Sequence, residues 1–272
     1  MGFVEGRDFT LEYRCADYQQ ERLAALANDL VQRGVAAIVT PSGPATSAAK
    51  AATTSVPIVF MTGFDPVASG FVASLNDPGG NVTGVFILNP DLLFKRTEVL
   101  HELAPAVKSF ALFYTRTGDK AEEPFYTELQ RAAEARGVTM RLYSVSQTAE
   151  SEETFARAVD EGAGAILVNN HPVFLNNREL MTALAARHRL PAMYPLRQFV
   201  ADGGLASYGA NPADAFRLVG DYVARILRGE KPAKLPVQQM TRIELVVNTR
   251  TAKALGITIP LTVLALADEI VE

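Results

Sequence analysis

Short apolar runs alternate with amphipathic stretches along the whole chain. Strand-like runs fall at 9–13, 36–40, 58–61, 82–86, 109–114, 139–145, 165–169, 191–194, 205–208 and 243–248. Several are unbroken apolar segments ("AAIV", "PIVF", "FALFY", "AILV"), the pattern of strands covered on both faces. Between them, the apolar spacing predicts helices over 21–32, 90–103, 124–136, 151–161, 176–188 and 211–228. In the first, Leu23, Leu26, Leu30 and Val31 share one face. Alternation of this kind predicts an α/β fold with parallel sheets. The strand-helix-strand series runs from 9 to 86 and again from 109 to 194, so two doubly wound, flavodoxin-like lobes are expected. No Gly/Ser-rich linker separates them, which points to ordinary short connections and a hinge.

The opening "MGFVEGRDFTLEYR" is a turn bracketed by Gly2 and Gly6, followed by the 9–13 run. A turn of that kind usually follows a helix, and a flavodoxin-like half begins with its central strand. The pattern therefore predicts that a strand and helix, about 30 residues, belong before this start.

Composition narrows the function. Of 272 residues, 48% are hydrophobic and 21% charged, and the net charge is −4. That is globular composition without the basic stripe of a nucleic-acid binder, so no nucleic-acid partner is expected. One cysteine, Cys15, excludes an internal disulfide framework, and His101, His171 and His188 are too scattered for a zinc pattern. No metal or cofactor is expected. The start carries neither a basic segment nor an apolar run of the kind that directs export.

Five stretches carry a family likeness: "GFVEGRDFTLEYR", "PSGPATSAAKAATTSVPIVF", "DPVASGFVASLNDPGGNVTGV", "AARHRLPAMYPLRQFVADGGLASYG" and "LPVQQMTRIELVVNTRTAKALGITIP". In order and spacing they resemble the ABC-transporter substrate-binding proteins of the tryptophan/tyrosine-uptake type. The resemblance implies a type I periplasmic-binding-protein fold of two lobes joined by a three-segment hinge. It also implies a small solute clamped between the lobes, ABC permease subunits as partners, no catalysis, and a periplasmic or membrane-anchored extracytoplasmic location. Lobe one is expected to hold residues 1–88 with 205–230, and lobe two 89–204 with 231–272, the last crossing lying near "GEKPAKLP". Members of that family carry a signal peptide, a first strand and a first helix before the opening turn, which supports the expectation of a late start here.

Ligands of open α/β sheets sit outside the carboxyl ends of the strands. Four loops are candidates there. In the first, Ser42 or Gly43 can cap a helix with Pro44 in its first turn, leaving the Ala45 and Thr46 N–H groups for a carboxylate. An ordinary capped helix start is the competing reading. In the second, Asp65 can accept from an α-ammonium group or simply cap a turn, and Phe64 can wall a side-chain pocket or fill the core. In the third, Asn169 and Asn170 offer donors and acceptors suited to a zwitterion, and His171 is either a contact or a turn residue. In the fourth, Tyr194 and Tyr208 offer broad faces with polar tips, or pack as core or hinge. The set fits an amino acid or related small carboxylate, aromatic or branched. "NDPGGNVTG" precedes a strand rather than following one, so Gly79 and Gly80 mark a turn and not a phosphate loop. Two other classes remain: a cytosolic small-molecule sensor of the same fold, and a two-lobed α/β enzyme, for which Cys15 beside Arg14 is the one candidate nucleophile.

Overall fold

The computed structural model describes residues 3–17, 19–87, 89–116 and 122–272. Among these residues the chain runs α1 (Leu23–Gln32), β1 (Ile38–Thr40), α2 (Gly43–Ala52), β2 (Ile58–Thr62), β3 (Val82–Phe86), α3 (Asn89–Leu103), β4 (Ser109–Tyr114), α4 (Glu122–Glu134), β5 (Thr139–Ser144), α5 (Ser151–Asp160) and β6 (Ala165–Val168). It continues α6 (Pro172–Leu175), α7 (Arg178–Arg187), β7 (Ala192–Tyr194), α8 (Arg197–Ala201), β8 (Ala206–Ala210), α9 (Pro212–Leu227), β9 (Gln238–Gln239), β10 (Ile243–Asn248), α10 (Thr249–Leu255), α11 (Leu261–Leu266) and β11 (Glu269–Val271). The chain forms two units, Met1–Leu88 with Pro212–Thr241 and Asn89–Asn211 with Arg242–Glu272.

Unit 1 is a parallel sheet in the order β1-β2-β3-β9. Leu30 and Val31 of α1 and Ala49 of α2 pack with Ile38, Ile58, Phe60, Val82 and Phe86. Helix α9 covers β2 and β3 through its own buried face, which includes Val219 and Tyr222.

Unit 2 holds seven strands in the order β11-β10-β8-β7-β6-β4-β5, with β10 antiparallel to β8. Five of them, β5-β4-β6-β7-β8, are parallel and reproduce the 2-1-3-4-5 order of a flavodoxin-like half. Alternate residues face opposite sides. Phe110, Leu112, Ala165, Leu167 and Met193 bury against α3, α4, α10 and α11. Ala111, Phe113, Ile166, Val168 and Tyr194 bury against α5, α6, α7 and α8. The continuous apolar strands follow from this double covering.

Three expectations are corrected. Residues 10–16 form no strand. The 9–13 run makes a single bridge, Glu5 to Phe9, around a turn at Gly6; Gly2 lies outside the described residues. A strand needs a ladder neighbour, and among the described residues β1 pairs with β2 alone. Leu11 and Tyr13 are exposed, and the segment is tied instead to α1 by Arg14 to Asp29 at 2.6 Å. Second, 205–211 does not belong with lobe one, because β8 is laddered to β7 and β10 in unit 2. Third, 231–241 does not belong with lobe two. There β9 pairs with β3, the Thr83 hydroxyl donates to the Leu235 carbonyl at 2.7 Å, and the Met240 N–H donates to the Phe86 carbonyl at 2.8 Å.

Close backbone approach fixes one ladder. Gly84 faces Phe60 between β2 and β3, and a Cβ there would lie 2.1 Å from the Phe60 carbonyl oxygen and 2.6 Å from its nitrogen. Backbone atoms in a ladder cannot give way as a side chain can. Gly84→Ala is therefore expected to cost on the order of 3 kcal/mol and lower the thermal midpoint by several degrees. Gly80→Ala, where nothing lies within 4 Å, should stay near the wild-type midpoint in the same calorimetric scan.

Candidate functional site

Chain order sets the best place to look. In unit 2 the chain passes from β4 outward to β5, then returns to the other side of β4 as β6. The loops after β4 and β6 therefore diverge over opposite faces. The crevice at such a switch point is where open α/β sheets bind ligands.

The residues at this point are polar and aromatic. Asn169 follows β6, and its N–H donates to the Phe113 carbonyl of β4 at 2.9 Å. Its side-chain oxygen accepts from the Asn170 N–H at 2.7 Å, while Nδ2 donates to the Tyr126 hydroxyl at 3.0 Å. The Tyr126 ring, on α4, lies 4.6 Å from the ring of Tyr114 at the end of β4, and 5.1 Å from that of Phe125. Phe94 of α3 meets Phe125 edge-on at 5.8 Å. Arg116 Nε donates to the Tyr114 hydroxyl at 3.2 Å. Asn170 Nδ2 reaches Asn89 Oδ1 at 3.5 Å. Asn169 and Asn170 were legible from sequence as candidates. Tyr114, Tyr126, Phe125, Asn89 and Arg116 were not. Tyr114 and Tyr126 read as ordinary members of a strand and a helix, and only the β4–β6 pairing brings them beside Asn169.

Other candidates serve the fold. His171 caps the one-turn helix α6, its Nδ1 accepting from the Val173 N–H at 3.3 Å. Tyr194 is a core residue. Its ring stacks on Phe199 at 4.7 Å, its hydroxyl is buried without a partner, and burial pushes that phenol well above its usual range. Tyr208 is half-buried in the middle of β8, and its carbonyl accepts from Arg96 Nε at 2.7 Å.

The unit 1 loops are also partly committed. Ser42 is the N-cap of α2, Gly43 the first helical residue and Pro44 the second. The Ser42 hydroxyl accepts from the Ala45 N–H at 3.4 Å, and the Thr46 N–H donates to the Ser42 carbonyl at 2.9 Å. Thr46 is fully buried, its hydroxyl 2.9 Å from that of Thr40. The Ala45 and Thr46 N–H groups are thus not free for a carboxylate, and Pro44 has none to offer. Asp65 caps a turn, with Oδ1 accepting from Val67 N–H at 2.8 Å and Ala68 N–H at 3.2 Å. Phe64 beside it is exposed.

Among the described residues, nothing assembles an activated nucleophile around Cys15. The exposed thiol donates to Asp17 and, with Arg22, holds that carboxyl below its usual range. The charge of Arg14 is already taken by Asp29 and Glu12. Among the described residues no His, Cys, Asp and Glu side chains group to hold a metal, and no helix is long and apolar enough to cross a membrane.

The model of the family described as "ABC transporter substrate binding protein" matches residues 1–271. A tyrosine-binding protein of Clostridioides difficile is 24% identical over 255 residues, covering 93% of this chain and 72% of that one. Among solved structures, an ABC domain from Streptococcus pneumoniae in complex with L-Trp is 28% identical. It matches with a TM-score of 0.79 over 93% of this chain and 86% of that one. A conserved domain protein from Vibrio cholerae is 29% identical, with a TM-score of 0.85 over 99% and 90%. The fold is that of type I periplasmic binding proteins, and the chain belongs to the ABC transporter substrate-binding protein family.

Proposed function

We propose that this chain is the solute receptor of an ABC importer and that its ligand is an aromatic amino acid. The observation that carries this reading is the cluster at the β4–β6 switch point, where Asn169 lies against Tyr126 and Tyr126 against Tyr114. Aromatic faces suit a planar side chain, and paired amides suit groups that both donate and accept. Support comes from relatives described as tyrosine-binding and as complexed with L-Trp. On this reading the protein performs no chemistry. It works outside the cytoplasm and delivers the solute to permease subunits.

Three chain crossings join the units, and uptake proceeds by hinge closure. A ligand shifts that equilibrium only by as much as it prefers the closed form.

Calorimetric melts with each amino acid test the reading. A ligand at about 100 times its dissociation constant adds about 2.7 kcal/mol, a midpoint rise of several degrees. Tryptophan or tyrosine should give that rise; a midpoint that no amino acid moves would sink the proposal. Asn169→Ala should weaken affinity for the active amino acid about tenfold or more. His171→Ala, which removes the α6 cap, should leave affinity close to wild type in the same isothermal titration.

A further inference from the structure

Arg96 of α3 is among the most deeply buried side chains of the protein, at 0% exposure. A guanidinium in that position is normally matched by a carboxylate, because an unpaired buried charge costs several kcal/mol. Here no acidic side chain lies within ion-pair distance among the described residues. Among these residues its one hydrogen bond is from Nε to the neutral carbonyl of Tyr208, and Nη1 is buried with no partner. Burial pulls the guanidinium down to about 9, opposed by the nearby Tyr208, which still leaves it charged at neutral pH.

Its position is as unusual as its lack of a counter-charge. The guanidinium lies beside Tyr208 and Gly209 of β8, level with Pro195 just past the carboxyl end of β7. A Cβ on Gly209 would fall 3.8 Å from Nη2 and 1.9 Å from the carbonyl oxygen of Pro195, so a side chain there is excluded. Strands β8, β7, β6 and β4 are consecutive neighbours in the sheet, and their parallel ends share one edge. From the β7–β8 gap to the β4–β6 gap is two strand spacings, about 10 Å. That is comparable with the length of an extended aromatic amino acid. The same edge therefore carries an unmatched positive charge at one place and the Tyr114–Tyr126–Asn169 cluster two spacings away. In unit 1, by contrast, the N–H groups expected to hold a carboxylate are used within α2.

We propose that Arg96 is the carboxylate receptor: its Nη1 takes the α-carboxylate of the amino acid whose side chain lies on the Tyr114–Tyr126 cluster. This rests on the amino-acid reading above. Because Nη1 is enclosed, the segments that follow β7 and β8, at 195–196 and 211, part to admit the carboxylate and close over it, so the pair forms with water excluded. A charge-assisted guanidinium–carboxylate hydrogen bond of this kind is short and strong.

The test compares L-tryptophan with tryptamine, which lacks the carboxylate, and with indole-3-propionate, which lacks the ammonium group; tyrosine, tyramine and 3-(4-hydroxyphenyl)propionate form a parallel set. Titrations use the full chain as wild type, Arg96→Gln and Arg96→Lys. Wild type should prefer the amino acid to the amine, and Arg96→Gln should shrink that preference about 30-fold or more. Arg96→Lys, which keeps the charge but not the fork, should restore part of it. Should Arg96→Gln fail to fold, Arg96→Lys carries the test alone: the acid-bearing ligands weaken and the amine does not. An unchanged acid-to-amine ratio, or equal losses for all three ligands, overturns the role of Arg96 while leaving the amino-acid reading in place. Wild-type protein that binds neither amino acid overturns both.

Discussion

Parallel hydrogen bonding is the constraint on which the site depends. Five strands laddered in the order β5-β4-β6-β7-β8 must all end on the same edge. Their connecting helices fill both faces, with α4 on one and α5 on the other. The backbone groups at that edge have no further ladder to join, so polar side chains collect there. Asn169 and Asn170 directly follow β6, and Arg96 reaches Tyr208 of β8 from α3. A fold that needed only stability would not place amides, tyrosines and an unmatched guanidinium along one edge.

How the polar groups are satisfied separates structure from recognition. His171, Ser42 and Asp65 spend side-chain atoms on backbone N–H groups of their own turns. Thr46 closes a buried bond with Thr40. These contacts hold loops in place and leave little for a ligand. The Tyr114–Tyr126–Asn169 cluster and Arg96 differ. The first joins β4, α4 and the loop after β6, and the second is a buried cation with no counter-charge among the described residues. Buried donors without partners are rare enough that each needs a physical cause.

The α/β class was legible because continuous apolar strands and amphipathic helices leave different periods in the sequence. The strands at 82–86, 109–114 and 243–248 could be placed to the residue. The 9–13 run could not, since "FTLEY" has strand-like residues but no neighbour to pair with among the described residues. Strand β9 is two polar residues whose pairing with β3 is set by tertiary contact, and β11 is three residues, too short to show a period. Within the site, Asn169 could be found because it follows an apolar run directly. Tyr126 and Arg96 could not, because both sit in helices whose periodicity marks them as core or surface. Tyr194 was misleading for the opposite reason: it ends a strand, yet its ring turns inward onto Phe199.

Amide hydrogen exchange with and without saturating L-tryptophan tests the central claim most directly, because it reports every loop at once. Added protection is expected at 169–171, 196 and 211, the residues that follow β6, β7 and β8. The amino-terminal edge of the same strands should be unchanged. Protection confined to that opposite edge, or to residues 3–16, would contradict it.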